Sequence, residues 1–253
     1  LVLQETKTTD DKFPREAIEA AGYHVAFFGQ KTYNGGALLS RQPATEVVRN
    51  IPGFDDDMAR VITGTVNGVR VIGAYFPNGQ APQTDKFAYK MRWLDALRRW
   101  RPRHLHAYPS ALYPIARWLA APPDAAVTDG VRSVQLFSEN VYAYQVELIR
   151  RVFGCPVLLE YGHSERAVKA ISLPGDDRYQ FWPLYGHVEL LALDGDRPCA
   201  VGELGEIVAT GFDNRVMPLI RYRTGDLAVR SALPASLPGA EFVAERIEGR
   251  VQE

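Results

Sequence analysis

Leu1-Val2-Leu3 is a short apolar run that passes into the polar pair Gln4-Glu5, the pattern of a buried strand ending at a site. In FPREAIEAAG, Phe13, Ala17, Ile18 and Ala21 recur at helical spacing, and Gly22 follows as a C-cap. Residues 23–28 and 37–40 predict strands, separated by the turn-rich GQKTYNGG. RVITGTV and VRVIGAYF flank Asn67-Gly68, the strongest short-range hairpin signal in the chain. Over residues 85–100, Phe87, Met91, Leu94 and Leu97 return to a helical period.

The character changes at RRWRPRHLH, where Arg and His cluster. YPSALYPIARWL then predicts a helix, APPDAA (121–126) a loop, and residues 143–153 an amphipathic helix closed by Gly154. Residues 156–159 predict a strand leading into YGHSE. Residues 187–193 and 205–210 predict two more, joined through a turn at Asp194-Gly195. No internal repeat or low-complexity segment is visible. A domain boundary is expected between Leu97 and Pro102 without a flexible linker, giving units 1–98 and 99–253. Both predict α/β architecture. The first is expected to be half of a two-sheet sandwich covered by helices, the second a partial mixed sheet with helices and a smaller β lobe around 183–230.

Composition narrows this picture only a little. The chain has 253 residues, enough for one large or two smaller cores, and its 46% apolar and 23% charged residues are those of a folded globular protein. A net charge of −1 gives no global attraction to nucleic acid. Cys155 and Cys199 lack ligand spacing, no apolar run is long enough for a membrane span and no leader is visible, so a cytoplasmic location is the expectation. The opening on Leu1 is that of a segment expected to begin inside a fold.

In YGHSE, Tyr161 can stack on a base, Gly162 allows close backbone approach, Ser164 can donate to a phosphate and Glu165 can hold Mg²⁺. In YRTGDL, Asp226 can accept from ribose hydroxyls, and Arg246 and Arg250 of RIEGR offer guanidinium donors. Read singly, TGD is a turn, Glu165 a surface carboxylate at a helix N-terminus and the arginines a solvated face. Together, with GELGEIVATG between them, these motifs resemble the adenylate-forming superfamily, closest to its phenylacetate–CoA ligase-like members, over essentially all of residues 99–253. That resemblance implies an ATP-dependent, carboxylate-activating enzyme with ATP or AMP, Mg²⁺, a carboxylic acid and CoA as its ligands. It implies that Tyr161 stacks on adenine, Ser164 contacts phosphate, Glu165 holds Mg²⁺, Asp226 binds ribose and Arg250 reaches ribose or phosphate. His163 is expected to be satisfied or solvent-facing. The family's Ser/Thr/Gly-rich phosphate loop and its small lysine-bearing domain have no counterpart here, and Gln252-Glu253 stand where an acidic hinge residue is usual.

LQETK, GYHVAFFGQKTYNGGALLSR, IGAYFPNGQ and DKFAYKMRWLDAL resemble, in that order, the exonuclease III family of abasic-site endonucleases over essentially all of residues 1–98. The resemblance implies Glu5 as a Mg²⁺ ligand with Gln4 beside it, Tyr75 next to the scissile phosphate, Asn78 and Gly79 on a loop near the DNA, and duplex DNA as partner. The family's first strand with its Asn, and its later Asp-x-Asn and Asp-His motifs, are missing; TDG, DDR and FDN do not replace them. Lys86, Lys90, Arg92, Arg98, Arg99, Arg101 and Arg103, with Trp93 and Trp100, form a basic aromatic stretch, read as a solvated helix face before a phosphate-binding one. The sequence thus describes two joined, catalytically incomplete parts, dominated by an adenylate-forming, CoA ligase-like region. A natural fusion, an assembly artefact and a designed chimera all fit such a junction. A Mg²⁺-dependent DNA-repair nuclease and an inert chain are the alternatives.

Overall fold

A computed structural model describes residues 1–81, 83–120 and 130–250. The loop expected over residues 121–126, the side chain of Arg98, and Gln252-Glu253 lie outside the described residues. The chain divides into two compact units, Leu1–Trp100 and Arg101–Glu253.

In the first unit, strands β1 (Val2–Gln4), β2 (His24–Phe28) and β3 (Gly36–Ser40) form an antiparallel sheet in the order β1-β3-β2. Strands β4 (Thr45–Arg49), β5 (Val61–Val66) and β6 (Val69–Ala74) form a second antiparallel sheet. As an edge strand, β1 leaves Val2 and Leu3 half-buried rather than buried. Helix α1 (Arg15–Ala20) stops where the sequence places its cap: Gly22 has φ 81°, its N–H donates to Glu19 O, and Tyr23 N–H donates to Ile18 O. Asn67 and Gly68 take φ of 49° and 76°, turning β5 into β6 with Val66 opposite Val69. Glycines let the two sheets close on each other. A Cβ on Gly73 would fall 2.6 Å from Val2 Cγ1, and one on Gly64 would fall 2.9 Å from Leu38 Cδ2.

Helix α2 (Asp85–Arg98) begins at Thr84, whose hydroxyl accepts from Phe87 N–H at 3.2 Å. Its buried face differs from the expected one. Trp93 and Ala96 are the enclosed residues, with Tyr89, Leu94 and Leu97 alongside, while Phe87 and Met91 are half-buried. Trp93 packs against Ile51 and Val61, and Phe76 meets it edge-on at 5.0 Å. A tryptophan with no exposed surface cannot be a base-stacking platform, so that part of the phosphate-binding reading falls. Lys86, Arg92 and Arg99 project from the exposed side of the helix and of its end.

The second unit holds, among the described residues, a nine-stranded mixed sheet. Strands β7 (His104–Ala107), β8 (Ser133–Leu136) and β9 (Val157–Gly162) are parallel, with helices α3 (Pro109–Ala120) and α4 (Ala143–Phe153) on the connections that parallel pairing requires. β9 then pairs antiparallel with β10 (Lys169–Leu173), which pairs with β11 (Asp176–Phe181). Strands β12 (Gly186–Ala192), β13 (Leu204–Gly211), β14 (Tyr222–Arg230) and β15 (Val243–Arg250) complete the order β12-β13-β14-β15-β11-β10-β9-β8-β7. The expected β lobe around 183–230 is therefore part of one continuous sheet, because β15 joins β14 to β11. Val134, Leu136, Ile149, Val157, Ala170, Ile207 and Ala228 are fully enclosed in one core beneath it. Among the described residues no helix is long and apolar enough to cross a membrane.

Replacing Trp93 with alanine removes the largest enclosed side chain of the first unit. It is expected to cost about 3–5 kcal/mol, measured as a lowered denaturant midpoint. Trp93→Phe should recover more than half of that loss.

Candidate functional site

In the first unit Glu5 follows the end of β1 with φ 53°, a left-handed conformation that turns the chain away from the sheet. Tyr75 follows the end of β6 directly. The packing of the sheets brings the two together: Gln4 Nε2 donates to Ala74 O at 2.9 Å, and the Tyr75 hydroxyl donates to Glu5 Oε1. Lys7 Nζ lies 3.4 Å from Glu5 Oε2. The Arg60 guanidinium sits 5.4 Å from the Tyr75 ring centroid, and its Nη1 donates to Tyr75 O. The Tyr75 hydroxyl holds the Glu5 carboxyl below its ordinary range, and the same carboxylate pushes the Tyr75 phenol up. Asn78 is exposed and accepts from Gln80 N–H, while Gly79 is buried against Lys90 and Phe87 of α2. Among the described residues no group of three or more His, Cys, Asp or Glu could by itself hold a metal ion.

In the second unit β9 has a parallel neighbour on one side and an antiparallel one on the other. A cleft of about 580 Å³ opens here, lined by Phe137, Gly162, His163, Ser164, Glu165 and Arg250 among others. Strand alternation sorts the motif. Glu160 and Gly162 reach the cleft, while Tyr161 packs against the core and donates its hydroxyl to Asp226 Oδ2 at 2.7 Å. Arg250 Nε donates to the other carboxylate oxygen of Asp226 at 3.1 Å. Burial, and then the hydrogen bond to Asp226, push the Tyr161 phenol well up.

The TGD segment is not a turn between strands. Thr224, Gly225 and Asp226 form a bulge inside β14, opposite the single residue Ile207 of β13. Gly225 takes φ 72°, the Thr224 hydroxyl donates to Ile207 O at 2.8 Å, and Asp226 N–H donates to Thr224 Oγ1 at 3.0 Å. The result is a carboxylate with 7% exposure aimed at Tyr161 and Arg250. Glu165 lies in a turn and not at a helix N-terminus. Its own backbone N–H and the neighbouring imidazole hold its carboxyl below the usual range, and Tyr222 donates to it at 3.4 Å. Arg246 pairs with Glu248 on the surface, as a solvated face should. Cys155 and Cys199 are buried, and burial pushes both thiols up.

A model of the "Endonuclease/Exonuclease/phosphatase family" matches residues 1–131, just over half of the chain. The chain belongs to this family. Exodeoxyribonuclease III of Haemophilus influenzae is 35% identical over 104 residues, covering 39% of each protein. The likeness changes along the chain. Crotonobetaine/carnitine–CoA ligase of Salmonella paratyphi B is 27% identical over 156 residues, covering 59% of this chain and 29% of the ligase. A crystal structure of 2-hydroxyisobutyryl-CoA ligase in complex with 2-HIB-AMP and CoA matches with a TM-score of 0.51 at 20% identity, over 70% of this chain and 38% of that one. The chain spans between 29% and 39% of these proteins' own lengths. An exonuclease III-like N-terminal part is thus joined to a CoA-ligase-like α/β region in this member of the family.

Of the residues singled out in sequence, Glu5 and Tyr75 meet each other, Gly162, Ser164, Glu165 and Arg250 share the cleft, and Tyr161 and Asp226 brace Arg250 from below. Sequence reasoning missed Glu160, which Lys169 Nζ contacts at 2.8 Å and to which the Gln135 amide donates. It also missed Phe137, stacked on His106 at 3.8 Å. Alternation through β9 could have flagged Glu160; Phe137 had no signal, since its role depends on β8 ending level with β9.

The coupling of Glu5 and Tyr75 has a measurable sign. A carboxylate accepting the phenol proton disfavours phenolate, so Tyr75 should deprotonate at higher pH than an ordinary tyrosine, about 10. Tyrosine-selective NMR titration, assigned with Tyr75→Phe, should show that resonance move back toward the ordinary value in Glu5→Gln. An unchanged titration would mean the two side chains do not touch in solution.

Proposed function

We propose that the Arg101–Glu253 unit binds an adenine nucleotide, ATP or AMP, in the cleft at the carboxyl end of β9. The observation that carries this reading is the convergence there of Gly162, Ser164, Glu165 and Arg250, the backbone, hydroxyl, carboxylate and guanidinium groups suited to a nucleotide. A volume of about 580 Å³ suits a small ligand. Arg250, 64% exposed along its side chain, is free at its outer edge to reach phosphate or ribose, and the buried Asp226 carboxylate holds its Nε. A ribose hydroxyl could take the place of Arg250 on Asp226. Mg²⁺ is commonly held by one or two carboxylates with the rest of its shell from phosphates and water. Glu165, at the cleft wall beside Ser164, fits as that one protein ligand. The CoA-ligase likeness supports a carboxylic acid and CoA as further partners.

Titrating AMP into the purified chain should raise its melting temperature, and Asp226→Ala should weaken AMP about tenfold by releasing Arg250 and orphaning the Tyr161 hydroxyl. No shift at millimolar AMP would reject nucleotide binding by this unit.

A second reading belongs to the first unit, where the Glu5–Tyr75 pair and the family membership favour contact with a DNA phosphate through Mg²⁺. Metal-assisted hydrolysis needs an oriented nucleophile as well as a metal. Glu5, Tyr75 and Lys7 offer a metal ligand and phosphate contacts, but no base to activate water. Incubating the chain with Mg²⁺ and an abasic duplex is therefore expected to give no nicking. Cleavage that disappears in Glu5→Gln would establish a working nuclease instead.

A further inference from the structure

A polar row crosses the neighbouring strands β7, β8, β9 and β10 of the second unit. His106 of β7 lies directly opposite Gln135 of β8, Glu160 follows on β9, and Lys169 stands on β10. Lys169 is register partner to Gly162, which makes it the diagonal neighbour of Glu160 on one face of the sheet. Parallel strands ordinarily run apolar on both faces, because both are covered. Here Val134, Leu136, Leu159 and Ala170 go to the core, while Gln135, Glu160 and Lys169 beside them turn the other way.

Glu160 is the hub of this row. Its Oε1 accepts from Lys169 Nζ at 2.8 Å, its Oε2 accepts from the Gln135 amide, and His106 Nε2 stands 3.9 Å from Oε2. The side chain of Glu160 is 18% exposed and that of Lys169 35%, and both line the cleft. An ammonium has three N–H donors. One goes to Glu160, and among the described residues none accepts from the other two. A ligand that fills the cleft strips water from those donors, which is costly unless the ligand brings an acceptor. Glu160 cannot swing round to supply one, since the Gln135 amide holds its other oxygen.

We infer that Lys169 is a ligand-binding residue whose Nζ donates to an anionic oxygen of the molecule in the cleft, with Glu160 and Gln135 holding it in place. This rests on the nucleotide reading and deepens it. An oxygen of that kind is carried by the nucleotide phosphates and by the carboxylate of an acid, and charge-assisted bonds to either are strong ones. The two members of the ion pair act on the ligand with opposite sign. Lys169 attracts the anion, while the Glu160 carboxylate repels it and competes for the same ammonium. A pair that served only to join β9 to β10 would show no such opposition.

The test compares the unaltered chain with Lys169→Met and Glu160→Gln in calorimetric titrations. The probes are adenosine, AMP, ATP with Mg²⁺, and acetate added to the AMP-saturated chain. Lys169→Met should weaken at least one anionic probe about tenfold, the worth of one hydrogen bond to a charged group, and leave adenosine unchanged. A loss first seen with AMP assigns the α-phosphate, one first seen with ATP the terminal phosphates, and one seen only with acetate the carboxylate. Glu160→Gln should tighten the same probe. Lys169→Met leaves the Glu160 carboxylate without its cation, so the two substitutions are also combined in one chain; this neutral pair should keep the loss. Unchanged affinity for every anionic probe in Lys169→Met would overturn the inference. So would a loss that extends to adenosine, or a weakening of the affected probe by Glu160→Gln. Failure of the unaltered chain to bind AMP at all would instead remove the nucleotide reading itself.

Discussion

The second unit depends on one strand having two kinds of neighbour. β9 pairs in parallel with β8 and antiparallel with β10, and no continuous packing surface can cover its carboxyl end on both sides. The parallel side sends its chain away into helices, and the antiparallel side returns it at once through residues 163–168. What remains between them is the cleft. Most groups facing it come from that change of direction: Phe137 and Ser138 leave β8, Gly162 to Glu165 leave β9, and Lys169 begins β10, while Tyr185 comes from the connection between β11 and β12. Arg250 arrives from β15 and is held at its edge by Asp226.

The first unit solves a similar problem with smaller means. Two three-stranded sheets must approach closely enough for the end of β1 to meet the end of β6, and side chains at the contact would hold them apart. Gly64 and Gly73 remove that obstacle, and the Gln4 amide then reaches the Ala74 carbonyl. The Glu5–Tyr75 contact follows from backbone proximity, with Arg60 fixing the aromatic ring. Each unit thus places its polar groups through the backbone of its sheets, with side-chain packing filling in behind.

Local features were the legible ones in the sequence. The Gly22 cap, the Asn67-Gly68 hairpin and the Thr84-capped α2 need only neighbours within a few residues, and pattern reading found them or came within a turn of them. The motif residues were legible as a set because their chemistry is unusual in combination. Their individual environments were not. TGD carries the glycine of a turn, but β13 on one side and β15 on the other absorb it as a bulge, a choice made by residues distant in the chain. Tyr161 looked available for stacking until strand alternation turned it inward. Trp93 looked like a surface aromatic among basic residues because the stripe of α2 that is buried, through Tyr89, Trp93, Ala96 and Leu97, is the neighbour of the expected one, and Ile51 and Val61 choose between them. The burial of His163 had no signal, since a ring enclosed beside Glu165 and between Tyr161 and Tyr222 is invisible to any pattern of residue types.

The bulge in β14 has a consequence for how this unit can vary. Residues 222–223 and 227–229 pair with β13 on either side of it, and the extra residues between them set which side chains face the core. A strand's two faces exchange with every single step in register. Point changes at exposed positions along β14 leave that frame intact, but a gain or loss of one codon between the two pairings would carry Asp226 out from under Arg250 and Tyr161. In a lineage of such chains, length in this strand should be far more strictly kept than composition.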